Sequence, residues 1–389
     1  MHIKHLSLSN FRNYSTLELA LRPGVNLLVG RNGQGKTNLA EAIYYCATLS
    51  SHRVSGYLPL IKRHESKSII RLLAGFEDRE NLVELELNSV GSNRARINRS
   101  DSSRVRDILG MVNAIIFSPE DLDIVKRDPS NRRAFIDDLL VQITPRLAGV
   151  FSDYERVLKQ RNTLLKTSRN LPSNSPGLET LTAWDDSLIK LGTEVISFRL
   201  DLINRISAPL LTAYQAIADE KNNPSIRYRS SLTATNIVDP ELEVDGEFLI
   251  SSDRVEIENL FRQKLALVKP KELERGISLV GPHRDDLVLY LGDFPAKGFI
   301  SHGESWSYAL ALKLASARLL KEDARAGDPV LILDDVFAEL DSTRRVRLAE
   351  LVSDNEQVII TAAVLEDIPS MPAANFIAIT AGQVVEQND

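Results

Sequence analysis

Residues 25–49 read VNLLVGRNGQGKTNLAEAIYYCATL. An apolar run with the character of a buried strand ends in a glycine loop, and a run with helical spacing follows it. Gly30, four further residues, then Gly35, Lys36 and Thr37 match the phosphate-binding P-loop, in the strand–loop–helix setting that the pattern requires. Glycines let successive backbone N–H groups turn toward phosphate oxygens, and the start of the following helix adds positive potential. The candidate nucleotide-binding residues are Gly30, Arg31, Asn32, Gly33, Gln34, Gly35, Lys36, Thr37 and Asn38. Lys36 is expected to reach the β and γ phosphates, and the Thr37 hydroxyl to ligate Mg2+. An incidental glycine turn is the alternative, and the flanking elements argue against it.

A P-loop enzyme also needs an acidic residue at a strand end to hold the metal. None follows nearby. In DPVLILDDVFAELD the apolar run Val330 to Leu333 terminates in Asp334 and Asp335. Adjacent carboxylates at the end of a buried strand are costly unless a cation or a proton relay uses them. Asp334 is therefore assigned to Mg2+ and Asp335 to polarising the attacking water, with a solvated strand-end turn as the alternative. Lys36, Asp334 and Asp335 form the candidate catalytic set. Because Lys36 and Asp334 lie near opposite ends of the chain, those ends must meet in one parallel sheet, with the segment between them extruded as a second lobe.

Bulk properties permit this. At 389 residues the chain can hold two domains, or one carrying a large insertion. Hydrophobic residues at 43% and charged residues at 26% suit a soluble protein with a large core. The net charge of -6 argues against wholesale coating of a polyanion, yet leaves room for a local basic patch. A single cysteine, Cys46, excludes an internal disulfide framework and reads as a buried small hydrophobe. The N-terminus alternates like a strand, unlike a signal peptide. No apolar run approaches the ~20 residues of a membrane helix. A soluble, cytoplasmic protein with no membrane partner is expected.

Along the chain, HIKHLSLSNF, STLELAL and GVNLLVG read as strands, as do KSIIRLLAGF, NLVELELN and RARINRS. From about Asp128 the periodicity turns helical through DPSNRRAFIDDLLVQI, PRLAGVFSDYERVLKQRNTLLK and the long run from Leu181 to Glu220. TSRNLPSNSPG, between the last two, reads as a loop. A short strand near SIRYRSSL and the helix DRVEIENLFRQKLALV follow. After Lys271 come GISLVGPHRDDLVLYLG, the helix SYALALKLASARLLK, the strand PVLILDD, the helix STRRVRLAELVS and a closing strand, QVIIT. No sustained heptads predict a long coiled coil. The expected division is residues 1–120 and 271–389 as one discontinuous lobe, and 121–270 as a mainly helical inserted lobe.

Two segments are locally basic. One carries Arg53, Lys62, Arg63, Lys67 and Arg71; the other carries Arg94, Arg96, Arg99, Arg104 and Arg106. If the strands place both on one face, a phosphate-tracking surface results. Solvated strand faces are the alternative. Lys126, Arg127, Arg132 and Arg133 would contact phosphate or brace the lobes through ion pairs. His283, Arg284, Asp285 and Asp286 suit a structural ion-pair network linking the lobes better than a zinc site, because ligand number and spacing are poor for zinc.

A split nucleotide head with an extruded middle resembles the ABC-type, SMC-like ATPases of chromosome maintenance. SHGESWSYALALKLA, starting at Ser301, looks like their signature motif, with Glu304 where Gln is usual. AELD at 338–341 resembles the loop after the metal-binding strand. NFRNY at 10–14, FSPEDLDIVKRDPSNRRAFID at 117–137 and GPHRDDL at 281–287 are similar to the RecF family of bacterial recombination mediators. The resemblance implies an α/β, ABC-type P-loop ATPase head, with a parallel core sheet plus an antiparallel β layer and a mainly helical second lobe. It implies ATP and Mg2+ as cofactors, and adds Arg12 and Asn13 to the nucleotide-binding set.

It also implies an ATP-dependent homodimer, in which Ser301, Gly303 and Glu304 of one subunit face the phosphate held by the other. Double-stranded and gapped DNA would be bound without sequence readout, through Arg53, Lys62, Arg63, Lys67, Arg94 and Arg96. Loading of the strand-exchange recombinase, with RecR and RecO as partners, is the implied task. Without the kinship, SHGES reads equally as an ordinary helix N-cap.

The departures matter. The second carboxylate is Asp335 where transporter-type enzymes have Glu. Thr361 and Ala362 stand where a switch histidine is usual, and FSPED has no Gln. A slow, DNA-stimulated ATPase used as a switch is therefore expected. A transporter's nucleotide-binding subunit and a non-enzymatic DNA-binding module are the rival readings.

Overall fold

The runs that the sequence marks as strands and helices take those forms in the computed structural model, which describes residues 1–102, 104–168, 176–218, 222–235, 248–323, 327–371 and 374–387. Most of the TSRNLPSNSPG segment lies outside the described residues. In chain order the strands are β1 (His2–Phe11), β2 (Tyr14–Ala20), β3 (Gly24–Val29), β4 (Lys67–Phe76), β5 (Arg79–Asn88), β6 (Arg94–Ile97), β7 (Ser100–Asp101) and β8 (Ala114–Phe117). There follow β9 (Pro224–Arg229), β10 (Asp286–Leu291), β11 (Phe294–Pro295), β12 (Val330–Asp334), β13 (Gln357–Ala362), β14 (Asn375–Thr380) and β15 (Gln383–Gln387). The helices are α1 (Lys36–Thr48), α2 (Leu122–Lys126), α3 (Pro129–Ile143), α4 (Leu147–Thr167), α5 (Pro176–Ala218), α6 (Arg254–Arg275), α7 (Ala296–Phe299), α8 (His302–Asp323) and α9 (Ser342–Ser353).

The chain divides into two compact units. The first comprises Met1–Ile124, Pro209–Asn222 and Ser301–Asp389; the second comprises Val125–Ala208 and Asn223–Ile300. The boundary expected at 270/271 therefore falls later. The reason is strand pairing: β10 pairs with β9 in a small sheet of order β11-β10-β9. That pairing keeps GPHRDDLVLYL with the second unit.

In the first unit the core sheet runs β15-β14-β3-β13-β12-β8. All its pairings are parallel except β14 with β15. Residues of β8, β12 and β13 are buried throughout, as expected for a parallel sheet covered on both faces. The sequence reading stopped at QVIIT and did not resolve β8. The structure adds the β14–β15 hairpin beyond it and AIIF at the opposite edge. A four-residue strand buried on both faces has no alternation to betray it.

The second sheet of this unit is antiparallel, in the order β2-β1-β4-β5-β6-β7. Helix α1 makes contact with strands of both sheets. Leu39, Ala40, Ala42, Ile43 and Ala47 are all 0% exposed, and Cys46 is 1% exposed. A helix buried on every side from Leu39 to Thr48 belongs in the middle of a sandwich.

The chain ends are sewn together. Gln357 sits opposite Gly24 in the β13–β3 ladder. Its side chain accepts from the Ile3 N–H at 2.7 Å and donates to the Ile3 carbonyl at 2.8 Å. Glu356 pairs with the N-terminal ammonium and, at 3.0 Å, with His2 Nδ1.

The second unit is pinned by buried ion pairs. Arg161, with a fully buried side chain, donates to Asp185 at 2.8 Å, Glu272 at 2.6 Å and Ser278 Oγ at 2.7 Å. Arg199 grips Asp137 with two bonds and donates to the Pro282 carbonyl at 2.8 Å. Arg132 grips Asp286, and Arg133 donates to the Asp285 carbonyl. Buried Asp285 accepts from the Ser231 N–H, Ser231 Oγ and Tyr228 OH, each at 2.7 Å. His283 Nδ1 pairs with Tyr154 OH at 2.7 Å.

All these partners belong to one unit, so the network expected to link lobes instead stabilises the second unit internally. Among the described residues, no group of three or more His, Cys, Asp or Glu side chains is arranged to hold a metal.

Removing one partner from a buried network strands the others. Arg161→Ala should cost ~3–5 kcal/mol, read as a lowered urea midpoint. Arg262→Ala breaks only the exposed pairs with Asp186 and Glu258 and should change stability by less than ~1 kcal/mol.

Candidate nucleotide-binding site

The P-loop bridges the end of β3 and the start of α1, as its sequence demands. Lys36 is 3% exposed and folds back, its Nζ donating to the carbonyls of Gly30 at 2.7 Å and Arg31 at 3.3 Å. Gly35 caps α1 at φ 111°, where a Cβ would lie 2.6 Å from Tyr14 OH and 2.8 Å from Asn13 Nδ2. A Cβ on Gly30 would stand 2.2 Å from the Ile379 carbonyl oxygen.

The β14–β15 turn, which the sequence reading missed, clamps the loop. The Gly382 N–H donates to the Gln34 carbonyl at 3.2 Å, and the Ala381 N–H to Gln34 Oε1. Asn13 Nδ2 lies 3.4 Å from the same carbonyl, and Asn38 donates to Asn13 Oδ1 at 2.7 Å. Arg31, Asn32 and Gly33 form the exposed tip.

The distant carboxylates meet this loop. Thr37 Oγ1 donates to Asp334 Oδ1 at 3.0 Å. Thr361 Oγ1 donates to the same oxygen at 2.6 Å and accepts from the Asp335 N–H at 3.0 Å. Asp334 is 3% exposed. Burial pushes its pKa up to about 6, with Asp335 adding to the rise and the threonine hydroxyls opposing it. Burial also raises the pKa of Asp335, against the pull of Lys36.

A hydroxyl and a carboxylate at one point are the hard oxygen donors that Mg2+ takes. A buried carboxylate with a raised pKa is one whose charge a cation would relieve. The donors thus fit a magnesium ion, and the glycine geometry fits a phosphate chain.

Two contributors escaped the sequence reading. Thr361, noted only for standing where a histidine is usual, orients Asp334. His52 brings Nε2 to 4.0 Å from Asp334 Oδ2, with its side chain 7% exposed. Its ring lies edge-on to Tyr44, with centroids 6.1 Å apart, and neither nitrogen has a hydrogen-bond partner. Burial pushes its pKa down to about 4, so the ring is neutral. A lone histidine in SSHRV carries no spacing signal toward Asp334.

Other expected residues take different positions. Arg12 grips the buried Glu41 of α1 with bonds of 2.7 and 2.6 Å and donates to the Pro59 carbonyl at 3.0 Å. The guanidinium assigned to nucleotide thus anchors α1. Arg53 donates to Asn38 Oδ1 at 3.0 Å, and Lys62 to the Asn13 carbonyl at 3.4 Å and to Ser15 Oγ. Both stand beside the P-loop helix and the NFRNY turn.

The expected basic stripe is interrupted. Strand β5 lies between β4 and β6, and its Glu84 and Glu86 face outward with the arginines. Lys67 pairs with Glu86 at 3.5 Å, Arg71 with Glu84 at 2.8 Å, and Arg96 with Asp101 at 2.7 Å. Arg94 sits opposite Glu86 in register. The period-two alternation of strands forces this charge lattice. Arg63 stays in an exposed loop.

The signature-like segment opens α8. Ser301 Oγ accepts from the Glu304 N–H at 3.2 Å, and Glu304 accepts from the Ser301 N–H at 2.7 Å. This reciprocal pair is a capping box, so the N-cap geometry is present. A Cβ on Gly303 would lie 3.0 Å from Arg344 Nη1, which donates to Asp341 of AELD at 2.8 Å. Lys313 of α8 pairs with Asp121 of FSPED at 2.8 Å.

Gly35→Ala should disrupt the cradle, weakening nucleotide binding by at least ~10-fold and stability by ~1–3 kcal/mol. Gly33→Ala, with open space around its Cβ, should cost only the ~1–2 kcal/mol of its positive φ, with no clash in the cradle. Equilibrium nucleotide binding and thermal unfolding of both variants check this contrast.

Comparison with known proteins places the chain. A family model described as RecF/RecN/SMC N terminal domain matches residues 2–384. The DNA replication and repair protein RecF of Leifsonia xyli subsp. xyli is 49% identical over 386 residues, covering 99% of this chain and 100% of that protein. RecF of Streptomyces avermitilis is 49% identical over 387 residues, covering 99% of each. A solved structure of the recombination mediator protein RecF-ATPrS in the RecFOR pathway superposes with a TM-score of 0.86 at 27% identity, covering 100% of this chain and 98% of that one. An Smc head bound to the C-terminal winged-helix domain of ScpA, at 14% identity and a TM-score of 0.52, shares the fold. The chain belongs to the RecF/RecN/SMC N-terminal domain family and, within it, to the RecF proteins.

Proposed function

We propose that the chain is an ATP-dependent DNA-binding protein of recombinational repair. ATP drives two copies together, the dimer holds DNA at single-stranded gaps, and slow hydrolysis resets it. The observation that carries this reading is the 3.0 Å contact between Thr37 and Asp334, which joins both halves of a magnesium–phosphate site. The membership of the family supports it, as does the likeness to a RecF structure named for its bound nucleotide.

In this reading Thr37 and Asp334 would hold Mg2+, which screens the phosphate charge. Lys36, buried beneath the loop, exchanges its two carbonyl partners for phosphate oxygens. Asp335 faces the attacking water. It is a short carboxylate on a backbone turned to φ 52°, a poorer reach than a longer Glu offers. Slow turnover follows, below ~1 s⁻¹.

Ser301 and Gly303 present a helix N-terminus, which attracts anions. In a dimer this end serves the triphosphate of the second copy. Glu304 must then release the Ser301 N–H that it now holds. DNA contact falls to Lys62, Arg63 and Arg53, whose neighbour Glu41 is already closed by Arg12, ahead of Lys67, Arg94 and Arg96, whose carboxylate partners lower their net field. Binding is sequence-independent and salt-sensitive. RecO and RecR are the partners that the pathway name of the structural relative suggests.

Sedimentation of wild type and Lys36→Arg, with and without ATP and duplex DNA, tests the reading. Wild type should dimerise with ATP and retain DNA while the nucleotide is intact, and the variant should do neither. An unchanged monomer, or equal DNA retention by the variant, contradicts it. Replacing Arg53 and Lys62 together with Ala should weaken DNA binding more than the same change at Lys67 and Arg96. Equal losses at 0.1 M salt would return the weight to the sheet face.

A further inference from the structure

We propose that His52 is a positioning residue for the metal's water shell at the free oxygen of Asp334. The inference rests on the nucleotide reading above and deepens it. The two oxygens of Asp334 have unequal surroundings. Oδ1 accepts from both Thr37 and Thr361. Among the described residues, the side chain placed at Oδ2 is His52, with Nε2 at 4.0 Å. That separation is too long for a hydrogen bond.

Both ring nitrogens are buried without a partner. Buried polar atoms normally find one, and an exception calls for an explanation such as a bound water or ion. Here the ring is aimed at a carboxylate built for a cation.

The ring is also held in place. Ser51 Oγ donates to the buried Glu41 at 2.5 Å and accepts from the N–H groups of Arg53 at 3.1 Å and Val54 at 3.2 Å. His52 thus sits in a turn fastened to α1, the helix whose first residues include Thr37. Tyr44 of the same helix meets the ring edge-on. One helix therefore sets both the hydroxyl on one side of Asp334 and the imidazole on the other.

The chemistry is consistent. Mg2+ keeps several waters when it binds through one or two protein oxygens. Those waters are hydrogen-bond donors, and a neutral imidazole offers one acceptor nitrogen. Groups outside the first ligand sphere orient such ligands, and losing one typically weakens metal binding by ~10–100-fold. An apolar replacement would leave the metal's water without its partner.

The test is nucleotide binding as a function of magnesium, using a fluorescent ATP analogue and the full chain. Wild type, His52→Phe, His52→Gln and Thr37→Ala are compared. His52→Phe should raise the magnesium midpoint by ~10-fold or more, with analogue affinity at saturating magnesium unchanged. His52→Gln, which keeps an acceptor, should recover part of the shift. Unfolding of the ligand-free His52→Phe protein should match or exceed wild type, because a partnerless polar ring is gone. A wild-type midpoint in both variants, with Thr37→Ala still shifted, overturns the role of His52 alone. Loss of ligand-free stability with an unshifted midpoint would make His52 a packing residue and also overturns it. Failure of wild type to bind the analogue would sink the nucleotide reading and this inference with it.

Discussion

Everything in the first unit depends on one parallel ladder, that of β3 with β13. Gly24 through Val29 pair with Gln357 through Ala362, so the strand that feeds the P-loop lies one strand away from the strand that ends in Asp334. Closing so long a loop is entropically costly. The structure offsets that cost with strands β8, β12 and β13 buried throughout, with Gln357 bonded to both backbone groups of Ile3, and with the N-terminus paired to Glu356. Neither end of the chain alone supplies both Thr37 and Asp334 to the candidate phosphate site. The composite site is a product of topology before it is a product of side chains.

Helix α1 translates that topology into chemistry. Buried between two sheets, it cannot rotate or slide without disturbing both. Its buried carboxylate, Glu41, is held by Arg12, Ser51 and, at 3.8 Å, Arg53. Thr37 at its start and the turn after its end are consequently fixed relative to Asp334. The second unit uses a different device, with Arg132, Arg161 and Arg199 each closed around carboxylates. Arg161 and Arg199 are buried, so removing a carboxylate partner would leave an uncompensated buried charge.

The sequence was most legible where physics leaves a local mark. A glycine loop between a strand and a helix suits a phosphate cradle, and an apolar run ending in two aspartates suits a cation. The long helices announced themselves by their spacing. The remainder needed three-dimensional information. Strand β8 is too short and too uniformly apolar to show a period. The hairpin β14–β15 clamps Gln34 from the far end of the chain. Thr361 and His52 come beside Asp334 only through the placement of β13 and of the turn after α1. Counting basic residues along the chain suggested a stripe, because it ignored the intervening strand that supplies Glu84 and Glu86. GPHRDD looked like a junction between lobes, because adjacency to the head in sequence says nothing about which sheet β10 joins.

Thr37, from the start of the chain, and Asp334, from near its end, are proposed to hold one metal against one triphosphate. Crystals grown with a non-hydrolysable ATP analogue and Mn2+ would locate that metal by anomalous diffraction. A single strong peak is expected about 2.1 Å from Thr37 Oγ1, the distance of a small hard cation, with Asp334 facing it directly or through one water. A metal bound elsewhere, or an analogue that leaves the glycine loop empty, would contradict it.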